Sequence, residues 1–104
     1  MEKVIESPKL LEHIPQKVTV GDFNLALFRV EGNVYALDDL CTHAEASLSE
    51  GEIFDCKIEC PLHGAEFDLK SGEAVTPPAT KDVKTYETIE KDGWIYINFK
   101  VKND

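Results

Sequence analysis

Hydrophobic residues in this chain fall into short runs that alternate with turn-forming residues. The segment Phe23–Val30 is rich in strand-forming residues, a tight turn is offered at 31–33, and residues 34–37 form a return strand. This arrangement predicts a β-hairpin. The longest unbroken apolar run, residues 25–28, is four residues long. A membrane-spanning helix needs about 20 apolar residues, so we expect no membrane span.

A second hairpin is predicted near the end of the chain. Residues 83–89 and 94–99 carry the strand pattern, and the turn-forming pair Asp92-Gly93 lies between them. Short strands with frequent turns and no clear helical period indicate an all-β domain. A weak helix signal is present at 7–13.

Residues 38–79 differ from both ends of the chain. They hold all three cysteines, two of the three histidines and the pair Pro77-Pro78. This composition indicates a loop-rich insertion between two parts of a strand framework. Loops carried on a rigid framework are where ligands usually bind.

Length and charge narrow the class of protein. A chain of 104 residues has room for one core, so we expect a single domain spanning 1–104. Its 20 acidic and 11 basic residues give a net charge of −9, which disfavours nucleic acid because phosphate binding needs a basic surface. The charge favours docking on a basic patch of another protein, although solubility alone would also explain it. No export signal is visible at the start, so we expect a cytoplasmic protein.

Two short motifs carry the chemistry of the chain. One pairs Cys41 with His43 across one residue, and the other pairs Cys60 with His63 across two. Structural zinc sites typically pair like with like, as two cysteines and then two histidines, whereas each pair here is mixed. Blue copper needs a long axial ligand, and the lone methionine, Met1, is poorly placed for that role.

A [2Fe–2S] cluster suits the mixed pairs better than a single metal ion does. In the Rieske class, two cysteines hold one iron and two histidines hold the other. Two loops that approach from opposite sides can each give a cysteine to one iron and a histidine to the other. The motifs therefore predict an iron–sulfur cluster, with structural zinc as the alternative.

The charge of the ligands explains how histidine affects the reduction potential of the cluster. Two ferric ions, two sulfides and two thiolates sum to zero when both imidazoles are neutral, whereas an all-thiolate cluster starts two charges more negative. Rieske centres accordingly have potentials of about −150 to +300 mV, against about −400 mV for plant-type ferredoxins.

The chain resembles the Rieske-type [2Fe–2S] ferredoxins that serve bacterial multicomponent aromatic-ring dioxygenases. Beyond the two motifs, the resemblance extends to residues 34–39, 46–51, 67–68, 72 and 92–97. It implies an antiparallel β-sandwich or barrel framework with an inserted cluster-binding subdomain at about 38–79. It also implies that Cys41 and Cys60 bind the buried iron and that His43 and His63 bind the outer iron. The pair at 77–78 matches a third loop that covers the cluster.

Four residues set this chain apart from the high-potential Rieske proteins of respiratory and photosynthetic complexes. Those proteins carry a disulfide where this chain has Ala46 and Leu62, and hydroxyl donors where it has Ala65 and Phe67. Hydrogen bonds to the sulfurs raise the potential of a cluster. The resemblance therefore implies a potential near the lower end of the Rieske range.

The residues that remain exclude two activities. Rieske oxygenases also need a mononuclear iron held by two histidines and a carboxylate, but His13 is the one histidine left. No G-x-G-x-x-G dinucleotide motif is present. We therefore expect a monomeric electron relay. The resemblance implies that it takes electrons from a flavin-containing, NAD(P)H-dependent reductase and gives them to a Rieske-type oxygenase. The alternative is a small redox subunit or sensor of another oxidoreductase.

Two residues are left outside this account. Cys56 is expected to be a small core residue on a strand face shared with Ile58, with a redox-sensing thiol as the alternative. His13 is expected to be an ordinary surface histidine.

Overall fold

The computed structural model describes residues 1–42, 45–62, 64–75 and 81–99. Short 3₁₀ turns occur at Ser7–Lys9 and Leu48–Glu50. In these ranges no helix is long and apolar enough to cross a membrane. The same ranges contain nine strands: β1 (Glu2–Glu6), β2 (Gln16–Val20), β3 (Phe23–Val30), β4 (Asn33–Asp38), β5 (Glu52–Phe54), β6 (Lys57–Glu59), β7 (Glu66–Asp68), β8 (Thr85–Lys91) and β9 (Trp94–Asn98).

The strands form two antiparallel sheets. Six of them form a sheet in the order β1-β9-β8-β4-β3-β2, and β5, β6 and β7 form a small three-stranded sheet. The two edge strands of the large sheet, β1 and β2, touch each other, so this sheet nearly closes on itself. The small sheet lies between β4 and β8 in the sequence, which confirms the predicted all-β framework with an insertion.

Strand β3 joins the two hydrophobic cores of the molecule. Its residues Leu25 and Leu27 belong to a core that also contains Ile95 and Ile97 of β9. The alternate residues of β3 face a second core, which contains Cys41 and Cys60 together with side chains of the small sheet. Because both faces of β3 are buried at its centre, residues 25–28 form an unbroken apolar run rather than an alternating pattern.

Both predicted hairpins are present, and the backbone angles of each turn account for the residues found there. Glu31 and Gly32 have φ angles of 53° and 81°, and Asp92 and Gly93 have φ angles of 52° and 82°. Two successive positive φ angles are what a type I′ hairpin turn requires, and glycine adopts them without steric cost. The second hairpin begins at Thr85 rather than at residue 83, because Val83 donates its N–H to the carbonyl of Gly72 instead of to a neighbouring strand.

Other elements differ from the sequence-based expectations. The helix signal at 7–13 corresponds to the single 3₁₀ turn Ser7–Lys9. The small sheet β5–β7 gives regular structure to part of the stretch that was expected to be loop-rich. Its strands are three residues each, which is too short for a period-2 pattern to be recognised.

The chain's single arginine, Arg29, links three parts of the framework. Its guanidinium forms a two-pronged pair with Glu90 of β8, at 2.7 and 3.1 Å. It also donates to the carbonyl oxygens of Ser7 and Leu10 before β2, and of Gly32 in the first hairpin turn. The hydrogen bond from Arg29 lowers the pKa of Glu90 below its ordinary value of 4.5.

We expect Glu90→Gln to lower the free energy of unfolding at pH 7 by about 0.5–1 kcal/mol, since Glu90 is partly exposed and the pair is screened by water. Because the folded pKa of Glu90 is lowered, the stabilisation is present above pH 4.5 and is lost as the pH falls through the lowered value. Urea unfolding at several pH values measures both effects.

The matched control is Glu87→Gln on the same strand, whose carboxylate accepts a hydrogen bond from the neutral amide of Asn98. Equal losses for the two variants, or a Glu90→Gln loss that does not shrink in acid, would contradict this account of Arg29.

Candidate metal centre

Each of the two cysteine motifs is closed by the same backbone hydrogen bond. The N–H of Cys41 donates to the carbonyl of Ala46 at 3.0 Å, and the N–H of Cys60 donates to the carbonyl of Ala65 at 2.6 Å. In both motifs the acceptor is the alanine five residues after the cysteine. The two loops therefore start from equivalent backbone positions, as two halves of one site would.

The two cysteine side chains meet inside the protein. Cys41 and Cys60 are 2% and 1% exposed and belong to the same hydrophobic core. Burial raises the pKa of the Cys60 thiol above its ordinary value of 9.0, and the adjacent Cys41 thiol raises it further. The N–H of Leu62, which points at the Cys60 sulfur, opposes these effects.

This thiol pair fits a metal that supplies positive charge. Burial of the Cys60 thiol beside Cys41 disfavours its thiolate form, and a ferric ion held by both sulfurs would supply the compensating positive charge. All three cysteines lie in the described part of the chain, and none of them forms a disulfide there. Within the same residues, no three side chains of His, Cys, Asp or Glu come together as metal ligands.

The remaining predicted ligands lie outside the described residues. These are His43 and His63, together with Pro77 and Pro78 of the predicted covering loop. The residues beside them are described, and one contact joins two of these segments: the Thr42 hydroxyl donates to the carbonyl of Lys81 at 2.6 Å. The first motif is thus fastened to the chain that follows the predicted covering loop.

The four residues that mark the departure from high-potential proteins lie close to the thiols. Ala65 and Phe67 are fully buried in the core that contains both cysteines, and Ala46 packs against that core. Leu62 is 44% exposed. None of these four side chains can donate a hydrogen bond, so the sulfurs receive none from them.

Cys56 occupies a different position from the one expected. It lies in the turn between β5 and β6, where Asp55 and Cys56 have φ angles of 54° and 57°. The prediction that it continues a strand with Ile58 is therefore wrong, although its side chain does pack against the edge of the core. His13 is exposed at the surface, as expected.

Sequence reasoning missed two residues that shape the first loop and its surroundings. Asp39 is a buried acid at the end of β4, and its backbone and side chain both bind the segment after the first motif. Gly51 lies against the backbone of Glu59, next to Cys60. Asp39 stands out in sequence as a charge directly before an expected ligand loop, but sequence alone does not show its burial.

Two buried thiols in matching loops of an all-β domain fit the class of metal-binding electron carriers. The comparison with family models supports this, because the Rieske [2Fe-2S] domain matches residues 1–87. The ferredoxin subunit of 3-phenylpropionate/cinnamic acid dioxygenase from Photorhabdus laumondii is 49% identical over 75 residues, which is 71% of each chain.

Solved structures agree with the sequence relatives. The ferredoxin of Sphingomonas yanoikuyae B1 superposes with a TM-score of 0.89 and 33% identity, covering 94% of this chain and 97% of that one. A complex of reduced oxygenase and oxidised ferredoxin in carbazole 1,9a-dioxygenase contains a chain with a TM-score of 0.90 and 35% identity, covering 98% of this chain and 95% of that one.

This chain belongs to the Rieske [2Fe–2S] family. Its cofactor is accordingly a Rieske-type [2Fe–2S] cluster and not the structural zinc that the sequence left as an alternative. Its relatives are named as ferredoxin components, and the chain is an electron-transfer protein rather than an enzyme in its own right.

We expect Gly51→Ala to disturb the thiol pair by crowding. Gly51 has a φ of −86°, which any residue can adopt. Glycine is needed here for lack of space, because a Cβ at this position would clash with the carbonyl oxygen of Glu59. The small sheet must move, at a cost of about 1–3 kcal/mol, and iron content per chain should fall with stability. Chemical unfolding and iron analysis measure the two effects.

The control is Gly21→Asn in the turn between β2 and β3, where a Cβ meets open space and φ is 58°, a conformation that asparagine tolerates. Wild-type stability and iron content in Gly51→Ala would contradict the crowding argument.

Proposed function

We propose that this chain carries single electrons from an NAD(P)H-dependent flavin reductase to a Rieske-type ring-hydroxylating oxygenase. Cys41, His43, Cys60 and His63 hold the cluster, and residues 38–79 act as the cluster-binding subdomain. When bound, the cluster takes up and releases one electron. The observation that carries the proposal is the pair of buried, touching thiols in two equivalent loops.

The thiol contact supports a particular division of the ligands. Since Cys41 and Cys60 lie beside each other in the same buried core, one iron could take both sulfurs. The histidines follow their cysteines by two and three residues, so each loop can deliver its imidazole to a second iron beside the first. The buried iron then belongs to the cysteines and the outer iron to the histidines.

The surface beside the two motifs suits a protein partner. Leu40 is 61% exposed and directly precedes Cys41, and Leu62 is 44% exposed and directly precedes His63. One exposed leucine thus lies beside each of the two proposed ligand motifs. We infer that they form the apolar centre of the contact through which electrons pass.

A row of acidic residues lies beside the second motif. Glu52, Glu59 and Glu66 lie directly opposite one another across β5, β6 and β7. A groove beside them, lined also by Glu50, reaches Cys60. Like charges directly opposite each other in a sheet are destabilising. We infer that this row is retained because it binds a basic patch on the partner protein.

The direct test is reoxidation of the reduced protein by a Rieske-type oxygenase under single-turnover conditions, followed by stopped-flow absorbance. We expect rapid reoxidation with a second-order rate constant that falls as salt is added, because opposite charges steer the two proteins together. Neutralising two of the three residues of the row, with Glu52→Gln and Glu59→Gln, should slow the reaction at low salt by about tenfold or less. The difference should vanish at high salt.

The matched control is Glu2→Gln, an exposed acid on β1, which should leave the rate constant near that of the wild type. Absence of reoxidation with every Rieske-type oxygenase tested would overturn the assignment of the acceptor. Stable copurification with a large subunit that is not an oxygenase would favour the alternative of a redox subunit of another enzyme.

A further inference from the structure

Asp39 is the buried charged side chain in the part of the chain that the structure describes. Its side chain is 4% exposed, although aspartate is almost never fully buried without a partner. The proposed electron-carrier mechanism gives it no function. A buried charge close to a redox cofactor is therefore a candidate for controlling that cofactor.

Three hydrogen bonds, two from its backbone and one from its side chain, hold Asp39 at the base of the first proposed cluster loop. Its N–H donates to the carbonyl of Asn24 on β3 at 2.9 Å, and its carbonyl accepts from Leu48 at 2.6 Å. Its Oδ1 accepts from the N–H of Ser49 at 2.8 Å. These bonds hold Asp39 between strand β3 and the segment that follows the first motif, and its carboxylate is bound to that segment.

The charge of Asp39 is only partly compensated. The nearest cation given by the structure is the ammonium of Lys17 on β2, whose Nζ lies 3.9 Å from Oδ2. Lys17 is half exposed, with 51% of its side chain accessible. Water and salt screen an exposed cation more effectively than a buried anion, so the pair leaves negative potential on the buried side.

Asp39 lies close in the chain to the first proposed cluster ligand. Asp39 precedes Cys41 by two residues, so the two Cα atoms are about 7 Å apart at most. We propose that Asp39 and Lys17 tune the reduction potential in opposite directions. The carboxylate of Asp39 disfavours the added electron, and the ammonium of Lys17 limits this effect. The proposal rests on the assignment of Cys41 as a cluster ligand.

The charge of Asp39 is a second cause of a low reduction potential, in addition to the missing hydrogen-bond donors. Ala65 and Phe67 remove hydrogen-bond donors that would favour the reduced cluster, whereas Asp39 adds a charge that opposes it. The effects are independent, because one acts at the sulfurs and the other acts through space.

The test is the midpoint potential of the loaded protein, measured with mediator dyes and without any partner. Asp39→Asn keeps an oxygen that can accept from Ser49 but removes the charge. We expect the ratio of reduced to oxidised protein at a fixed ambient potential to rise about tenfold, equivalent to about 59 mV for one electron. Lys17→Gln should lower the ratio about two- to threefold at low salt, and less at high salt.

A purely structural function of Asp39 would not give shifts of opposite sign. Asp92→Asn is the matched control: it removes an exposed aspartate at the far end of β8 from Thr85, in a turn position with a φ of 52° that asparagine also adopts. Its potential should equal that of the wild type.

Two outcomes overturn the proposal: an unchanged potential in loaded Asp39→Asn, or a potential in Lys17→Gln that stays the same or rises. If Asp39→Asn fails to retain the cluster, the surface variant Lys17→Gln still decides. Failure of the proposed function shows differently. A wrong ligand assignment removes the iron–sulfur spectrum of the parent protein, and a wrong acceptor leaves these potentials unaffected.

Discussion

The contact between two buried cysteine side chains is the constraint on which the rest of this structure depends. Cys41 and Cys60 come from separate loops, and they meet because both loops are anchored in the core shared by the large sheet and the small one. Matching hydrogen bonds to Ala46 and Ala65 start the two loops in the same way. Without this shared core the ligands would be placed by flexible loops, and an electron carrier needs a cofactor that does not reorganise when its charge changes.

In the proposed account, the charges around this contact disfavour the reduced form of the cluster, so that the cluster is a strong electron donor. The sulfurs lie among hydrocarbon side chains that give no hydrogen bonds, and a buried carboxylate lies two residues away. The same negative character continues to the surface in the row Glu52, Glu59 and Glu66. In the proposed account, one electrostatic pattern acts both on the potential of the cluster and on the recognition of the partner.

The sequence predicted the cofactor and the hairpin turns better than it predicted the structure around the site. The spacing of the Cys–His pairs and the two hairpin turns depend on local residue types, and turns such as Asp92-Gly93 can be recognised without knowledge of the fold. The three-residue strands β5–β7, the turn position of Cys56 and the burial of Asp39 depend on contacts between distant segments. No local pattern encodes those contacts, so they emerge once the two sheets are packed together.

The central claim is that two imidazoles share the cluster with the two thiols. Pulsed EPR on anaerobically reduced protein labelled with ¹⁵N-histidine tests it most directly, because nitrogen bound to iron couples to the unpaired electron. The account predicts couplings from two histidine nitrogens, with one lost in His43→Cys and the other in His63→Cys. A reduced cluster without histidine nitrogen coupling, or couplings that persist unchanged in both variants, would contradict it.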